Sequence, residues 1–286
     1  MLERCVNFAC EIIGKLPFEC MQFNFMQIAL LATLFLAPLT AVAGVQVVNY
    51  RMAFFADTIG HSVFAGAALG VLFLGSNGAA WGMPLTALLI GIGVLFLQKS
   101  GKQSSDTVIG VFFAFIVSLG LLLMSNSNNL PKAGQFIFGD ILLVTAQDTA
   151  LLIILAIIYT LFITTAFNPL LLIAIDEDLA RANRIKSLIF ELLHISLLAL
   201  TVIFTVKIAG VLLAGAMLIV PAAAARNLTR HAGRMFWGAA IIGLISGISG
   251  LFVSAQEWAN FPAGAAMVMV SCIIFAVSLV WKKAKM

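Results

Sequence analysis

The sequence predicts an all-α polytopic membrane protein, a bundle of eight to nine transmembrane helices, on three observations. Of the 286 residues, 62% are hydrophobic and only 10% are charged, and the mean hydropathy is +1.11. A water-soluble domain of this length needs a far more charged surface. The apolar residues also fall in runs of about 20, the length that crosses a bilayer as a helix. No polar stretch is long enough to fold alone, so any nucleotide-hydrolysing or ligand-capturing domain would be a separate chain.

Nine such runs follow one another along the chain. The boundary between the sixth and the seventh is the least distinct, because only Lys207 interrupts the apolar residues and Gly210 offers the turn. The number of spans is eight if one segment lies along the membrane surface or re-enters the membrane. Asn168 and Pro169 are expected to end the fifth helix, since proline disfavours helix at the residue before it. The predicted spans are residues 26–48, 54–75, 80–98, 107–126, 149–167, 188–206, 208–225, 235–253 and 261–281.

The sixteen Lys and Arg residues indicate how the spans are oriented. When the carboxyl terminus is placed inside, twelve of them lie on the inner side and four lie outside, namely Arg4, Lys15, Lys132 and Lys207. Inner loops of membrane proteins are enriched in basic residues, which favours this orientation and an external amino terminus. The net charge of +4 therefore reflects topology and does not indicate a nucleic-acid partner.

Residues 1–25 are an amino-terminal lead-in to the single transmembrane domain of residues 26–286. Charged residues recur among apolar ones there, which is typical of an amphipathic helix in the membrane interface and not of a signal peptide. Three of the four cysteines, Cys5, Cys10 and Cys20, lie in this stretch, and Cys272 lies in the last span. Their spacing and the absence of a nearby histidine disfavour a disulfide or a metal site.

Asp57 and His61 are the most unusual polar residues within the predicted spans. They are four residues apart in an apolar run, so in a helix they lie on one face, one turn apart. An oxygen and a nitrogen donor aimed at one point suit zinc or manganese, and ionisable groups inside a membrane are candidates for an ion or substrate path. The alternative is that Asp57 caps the helix near the membrane surface and His61 is a satisfied interior histidine.

Small residues around this pair and in a late span are expected to let neighbouring helices approach closely. Proline in the late span is expected to kink it. The predicted packing positions are Gly60, Gly66, Gly70, Gly210, Gly215 and Pro221.

Glu191 and His194 share a helix face early in the sixth predicted span. They are candidates for a second polar station on an ion path. The alternative, which is the commoner role of such a pair, is an internal hydrogen bond near the membrane surface.

Two connections are longer than turns. Residues 127–148 are too polar to cross the membrane and too apolar for a free loop, so we expect them along the outer mouth of the bundle. Asp140 and Asp148 there either attract cations or are simply solvated. Residues 168–187 form the longest inner connection, in which acidic residues precede basic ones, as the dipole of a short helix prefers. Such a helix is either a docking element for a partner or an ordinary connector.

Several kinds of active site have no basis in the sequence. It lacks Gly-x-x-x-x-Gly-Lys-Ser/Thr, so it does not bind ATP through a P-loop. It also lacks His-Glu-x-x-His and Gly-x-Ser-x-Gly, so hydrolysis within the membrane is not indicated. No repeat relates the two halves, which counts against the common secondary-carrier folds.

Over about residues 26–281 the chain resembles the membrane permease subunits of bacterial ATP-binding cassette (ABC) importers for zinc, manganese or iron, the ZnuB type. The resemblance rests on five motifs in order. They are Arg51-Met52-Ala53-Phe54 with Asp57-Thr58-x-x-His61, then Phe138-Gly139-Asp140-Ile141-Leu142, Asp176-x-Asp178-Leu179-Ala180-Arg181-Ala182, Gly210-Val211-Leu212-Leu213 with Ile219 to Arg226, and Phe261-Pro262-Ala263-Gly264.

This resemblance implies a non-enzymatic transport subunit in the bacterial cytoplasmic (inner) membrane. A second copy of the chain, two ATPase subunits that bind the ATP and an extracytoplasmic metal-binding protein would be its partners. No cofactor would be bound permanently, and the transported ion would be Zn²⁺, with Mn²⁺ or Fe²⁺ as alternatives. Asp57 and His61 match the family's metal-contacting pair. Residues 176–186 match its ATPase-coupling region, with Asp176, Glu177, Asp178, Leu179, Ala180, Arg181, Ala182 and Arg184 as the coupling residues.

Three residues depart from the family's pattern. Ala56 and Arg184 each replace a usual glycine, and Asp178 replaces a usual glutamate. The Arg184 change concerns the geometry by which the coupling region docks.

Three rival functions make different predictions. An ATP-independent metal carrier or channel would support uptake by this chain alone. A structural or assembly protein, with Asp57 and His61 as packing groups, would give no metal-dependent phenotype. An importer of a siderophore or cobalamin would need a wide pathway in place of a compact carboxylate–imidazole pair.

Overall fold

The computed structural model describes residues 2–14, 19–75, 78–100, 104–125, 139–229, 231–256 and 261–284. Within these ranges the chain is helical and has no strand. Two short 3₁₀ turns cover Glu19–Gln22 and Ile141–Leu143. The α-helices are α1 Leu2–Ile13, α2 Asn24–Asn49, α3 Phe55–Leu74, α4 Ala79–Ser100, α5 Ser105–Ser125, α6 Ala146–Ile175, α7 Glu177–Ala182, α8 Ser187–Ala209, α9 Val211–Leu228, α10 Ala232–Ser254 and α11 Ala263–Ala284.

Nine helices in the described part of the chain, α2–α6 and α8–α11, are long and apolar enough to cross a membrane. This confirms the predicted all-α fold and the higher of the two predicted span counts. The least distinct boundary is also present, since Gly210 alone separates α8 from α9. Its φ of 86° lies in the left-handed region that glycine adopts without steric cost.

The prediction that Asn168 and Pro169 end the fifth span is wrong. Helix α6 continues through Pro169 to Ile175. Proline lacks an N–H and so leaves one carbonyl of the preceding turn unpaired, but transmembrane helices tolerate this where neighbouring groups compensate. One residue beyond the proline, the Tyr50 hydroxyl donates to the carbonyl of Leu170 at 3.1 Å, which ties this turn of α6 to the end of α2. The carbonyl that Pro169 leaves unpaired is that of Thr165, four residues earlier. The inner connection is therefore shorter than predicted and covers residues 176–186 only.

Helix α2 is the centre of the bundle. Of its most apolar window 83% is buried, more than in any other span among the described residues. It packs against α6, α9 and α10, and α11 covers α9 and α10. A Cβ added at Gly44 would lie 1.5 Å from the carbonyl oxygen of Leu218, so only glycine permits this crossing of α2 and α9.

Helices α3, α4 and α5 form a second group, joined to the first through α8 and α9. The backbones of α3 and α4 are in contact: a Cβ added at Gly66 would lie 2.9 Å from the Gly82 carbonyl oxygen, and one at Gly70 would lie 2.2 Å from that of Gly78. With no side chain between them, these two helices are expected to move as one unit.

The first residue of helix α3 packs into the bundle, although the preceding Phe54 is exposed. That first residue, Phe55, is fully buried. Phe55 packs beside Gly91 of α4, whose other neighbours are Ile195 and Ala199 of α8. Ile195 is eight residues beyond Ser187, which corresponds to about 12 Å along α8. The Phe55 side chain therefore reaches α8 about 12 Å from the end of α8 that begins at Ser187.

The two ends of the bundle carry different charges. A cavity of about 800 Å³ at one end is lined by Arg51, Lys99, Arg181 and Arg226, all of which were predicted to be internal. Helix α7 borders this cavity through Glu177. The opposite end holds the ion pair of Lys207 with Asp148, whose Nζ and Oδ1 are 2.6 Å apart. The structure thus gathers four of the predicted inner basic residues at one end.

The predicted outer segment is described only from residue 139 onward, and its residues 127–138 lie outside the described ranges. The Asp140 carboxylate accepts a hydrogen bond from the Leu142 N–H at 3.0 Å, which caps the 3₁₀ turn, and Ile141 is fully buried. Gly139 touches the backbone of Gly210, so this segment packs on the junction of α8 and α9.

The amino-terminal helix α1 packs on α2 and α6. It buries Val6 and Cys10 and exposes Phe8 and Ile12, as an amphipathic helix at a membrane surface would. Cys10, Cys20 and Cys272 are free thiols within the described chain. The side chain of Cys5 lies outside it.

Candidate functional site

Asp57 and His61 lie in the first two turns of α3, on one face, and both are half-buried. Because the amino-terminal end of a helix carries partial positive charge, this position offsets part of the cost of a carboxylate inside the bundle. The N-cap residue is Phe54, and no side chain caps this helix end. Within the described chain, no hydrogen bond or ion pair occupies either side chain. This arrangement differs from the capping alternative and leaves both groups free to bind a ligand.

The neighbours of this pair come from α9 and α5. A Cβ added at Gly215 of α9 would lie 2.5 Å from Asp57 Oδ1, so the glycine provides the space that the carboxylate occupies. The His61 ring meets Phe113 of α5 edge-on, with centroids 5.3 Å apart, and Phe64 at 5.9 Å. Asp57 therefore packs against Gly215 of α9, and His61 packs against the aromatic ring of Phe113 of α5.

One chain supplies only part of a coordination shell. No group of three or more His, Cys, Asp or Glu side chains that could hold a metal ion occurs in the residues described. Zinc in proteins usually takes four ligands, so Asp57 and His61 alone would hold an ion weakly. Further ligands would have to come from water, from backbone or hydroxyl oxygens, or from another chain.

Glu191 and His194 lie on α8, away from this pair, and their roles differ. Glu191 forms an ion pair with Lys99 of α4. His194 is only 4% exposed and lies between the rings of Tyr50 and Tyr159, with centroids 6.0 and 6.4 Å away. Among described residues its Nδ1 has no hydrogen-bond partner. The notion of a second polar station at these residues stays a prediction.

Tyr50 follows α2 and joins this region to α6. Its burial, together with the neighbouring Glu191 carboxylate, raises the pKa of Tyr50 well above its usual range. The hydroxyl therefore stays protonated and donates to the Leu170 carbonyl at 3.1 Å.

Helix α7 is the short inner helix expected from residues 176–186. The Asp176 carboxylate caps it by accepting hydrogen bonds from the N–H groups of Asp178 and Leu179, at 2.9 and 3.1 Å. Ala180 is buried and anchors the helix to the bundle. Arg184 ends this region with a φ of 58°, in the left-handed region. That conformation explains why glycine suits this position, and Arg184 adopts it nonetheless.

Glu177 is the most connected residue of α7. Its carboxylate accepts hydrogen bonds from Lys99 at 2.6 Å, Arg181 at 2.8 Å and Ser187 at 3.2 Å. The Lys99 ammonium, helped by Arg181, holds the pKa of Glu177 below its usual range despite partial burial. Glu177 is therefore ionised at neutral pH.

Sequence reasoning assigned Lys99 to topology alone. The structure places its ammonium between Glu177 and Glu191, which are on two different helices. The sequence did contain a signal for these ion pairs: a single basic residue in the last turn of an apolar span, and acidic residues on two later helices.

Comparison with known proteins gives a consistent set of similarities. Residues 22–282 match the ABC 3 transport family. The manganese transport system membrane protein MntC of Listeria monocytogenes is 30% identical over 266 residues, which cover 91% of this chain and 92% of that protein. The high-affinity zinc uptake system membrane protein ZnuB of Haemophilus influenzae is 32% identical over 258 residues, 90% of this chain and 97% of that one. A solved structure, PsaBC from Streptococcus pneumoniae in complex with Fab, has a TM-score of 0.77 at 26% identity and covers 93% of this chain and 96% of its own.

Proposed function

The chain belongs to the ABC 3 transport family, and on that premise we propose that it imports a divalent transition metal as the permease of an ABC transporter. Zinc is the favoured cargo, followed by manganese or iron. The proposal rests on one observation above the others: Asp57 and His61 lie together inside the bundle with neither side chain engaged by a described hydrogen bond or ion pair. A carboxylate and an imidazole so placed are ligands for such an ion.

The proposed assembly contains two permeases, two ATPase subunits and an extracytoplasmic metal-binding protein in the bacterial inner membrane. The binding protein delivers the ion at the outer end, and Asp57 and His61 of both copies contact it in transit. Closure of the ATPases moves α7, and the pathway alternates between outward and inward access. Two donors per chain suit this role, because an ion in transit must be held weakly enough to leave.

The evidence for one particular metal is weaker than the evidence for a divalent transition metal as a class. Oxygen and nitrogen donors accept zinc, manganese and iron, and selectivity among them follows from geometry and availability. The two relatives described above carry names for manganese and for zinc. Zinc is proposed first because imidazole is among its preferred ligands.

Metal uptake in cells that lack their own importers tests the proposal. Radiolabelled zinc, manganese and ferrous iron would each be supplied to cells expressing the chain with or without its ATPase and binding-protein partners. We expect uptake of one metal only when the partners are present. Uptake by the chain alone would instead establish a carrier or channel.

The site is tested in the same assay with His61→Ala and Asp57→Ala. Changing groups that merely orient metal ligands costs about 10–100-fold in affinity or activity, so loss of a ligand should lower uptake by at least about tenfold. His231→Ala is the matched control, because His231 is exposed at the start of α10. Both site variants should still assemble with the ATPase, and normal uptake by His61→Ala would refute the assignment.

A further inference from the structure

Lys99 joins three helices through its ammonium group. Its Nζ lies 2.6 Å from Glu177 Oε1, at the first residue of α7, and also contacts Glu191 Oε2 of α8. Lys99 itself is in the last turn of α4. We call these three side chains the Lys99 bridge.

The Lys99 bridge is sufficiently shielded from solvent for its ion pairs to contribute to stability. The side chains of Lys99, Glu191 and Glu177 are 22%, 10% and 33% exposed. Ion pairs at a fully exposed surface contribute little, whereas removal of one partner from a buried pair leaves an uncompensated charge at high cost. Among the described residues, Lys99 is the one partner of Glu191 Oε2.

The bridge also lies on a direct route from α7 to the candidate metal site. Helix α4 packs along both α8 and α3. The α3–α4 contact is backbone to backbone at Gly66 and Gly82, so α3 follows displacements of α4. Asp57 and His61 are on α3.

We propose that Lys99 is a positioning residue that ties α7 to α4 and α8, so that movement of α7 is transmitted to the helix carrying Asp57 and His61. This deepens the proposed function and rests on it, because there α7 receives the movement of the ATPase. Lys99 does not touch the transported ion in this role. The ammonium is suited to the task since a single group with three donors can hold two carboxylates.

Hydrogen exchange of the full permease in detergent, without partners, tests the structural half. Lys99→Met keeps the apolar stem and removes the charge, and Lys283→Met, which removes an exposed charge from the last turn of α11, is the matched control. We expect amides of residues 177–192 to exchange at least about tenfold faster in Lys99→Met. Lys283→Met and the charge-preserving Lys99→Arg should remain close to wild type.

Glu177→Gln is a second variant that tests the same contact if Lys99→Met fails to fold. It removes the charge that attracts Lys99 to α7 while leaving the Lys99–Glu191 pair in place. We expect faster exchange in α7 and unchanged exchange around Glu191 in α8, beyond Ser187, which itself contacts Glu177. Unchanged exchange in both regions for Glu177→Gln and Lys99→Met would overturn the proposal.

The functional half is tested in the transporter reconstituted with its partners, by measuring ions imported for each ATP hydrolysed. Lys99→Met should hydrolyse ATP but import at least about tenfold fewer ions per ATP, a split expected when binding energy is no longer transmitted between sites. Lys99→Arg should restore the ratio, and Lys283→Met should not alter it. A wild-type ratio in Lys99→Met would refute the coupling role. If the wild-type chain itself shows no partner-dependent uptake, the proposed function fails, and the exchange experiment still decides whether the bridge holds α7.

Discussion

The space for the Asp57 carboxylate depends on one missing methyl group. Gly215 faces Asp57 from α9, and an added Cβ would lie 2.5 Å from Asp57 Oδ1, so the carboxylate would have to move to make room for it. Sequence reasoning named Gly215 as a packing residue. The structure shows that it also determines where a candidate metal ligand can point.

Gly215→Ala should therefore impair transport without removing any ligand atom. We expect metal uptake with the partners present to fall by about tenfold or more, since the carboxylate must rotate out of its position and small displacements of reacting groups carry large penalties. The measurement is the initial rate of radiolabelled metal uptake at equal membrane content of the chain.

Gly233→Ala is the control for Gly215→Ala. Gly233 is also helical, in α10, and an added Cβ there meets no atom within 4 Å. Wild-type uptake by Gly233→Ala and by Gly215→Ala alike would show that the Asp57 carboxylate does not act from this position.

The pairing of Asp57 with His61 was predictable, whereas their surroundings were not. Spacing of four residues within a helix places two side chains on one face by local geometry alone. The contacts with Gly215 and Phe113 and the ion pairs of Lys99 join residues far apart in the chain. Such contacts depend on how the helices pack, which apolar patterning leaves open.

At the scale of helices, α7 ends in a strained conformation. Arg184 has a φ of 58°, and it follows Asn183, whose side chain donates to the Leu179 carbonyl at 2.8 Å. The left-handed region disfavours residues with a Cβ by about 1 kcal/mol or more. The family resemblance places a glycine at this position, and the backbone geometry supplies the reason.

Arg184→Gly should stabilise the protein. The substitution relieves the steric cost, but the greater freedom of glycine in the unfolded chain offsets part of this gain. The free energy of unfolding should rise by about 0.5–1 kcal/mol. For a chain of this size that raises the midpoint of thermal unfolding by about 1–3 °C, measurable in detergent by fluorescence.

Lys186→Gly serves as the comparison for Arg184→Gly, because it removes the same charge where φ is −78°. It should give no stabilisation. Equal midpoints for the two glycine variants would mean that the conformation at Arg184 carries no cost.

The helices themselves were largely predictable, because a bilayer requires apolar runs of nearly fixed length. The boundary at Gly210 followed from the same rule. The error at Pro169 arose because the rule for proline describes helices in water, whereas transmembrane helices tolerate proline in their interior.

On the scale of the whole molecule, charge separates the two ends of the bundle. Arg51, Lys99, Arg181 and Arg226 surround one cavity at the end that carries α7. The opposite end holds Lys207 paired with Asp148. Basic residues accumulate on the inner side of membranes, so we expect α7 to face the cytoplasm, where an ATPase partner would meet it.

Helix α6 provides the test of that orientation, since it connects the two ends directly. Its 30 residues span about 45 Å, more than the roughly 30 Å of bilayer hydrocarbon. Leu143 precedes α6 and is 79% exposed, and Asn183 follows α7 and is also exposed. These two positions must therefore lie on opposite sides of the membrane.

We would place a single cysteine at either position, as Leu143→Cys or Asn183→Cys, in a chain whose four natural cysteines are replaced by serine. A membrane-impermeant maleimide should label the cysteine at 143 in intact spheroplasts and the one at 183 only after lysis. Equal labelling of both after lysis is the control for reactivity. The reverse pattern would place α7 outside, away from any cytoplasmic ATPase, and would rule out both the proposed import mechanism and the coupling role of Lys99, since neither can operate without an ATPase that contacts α7.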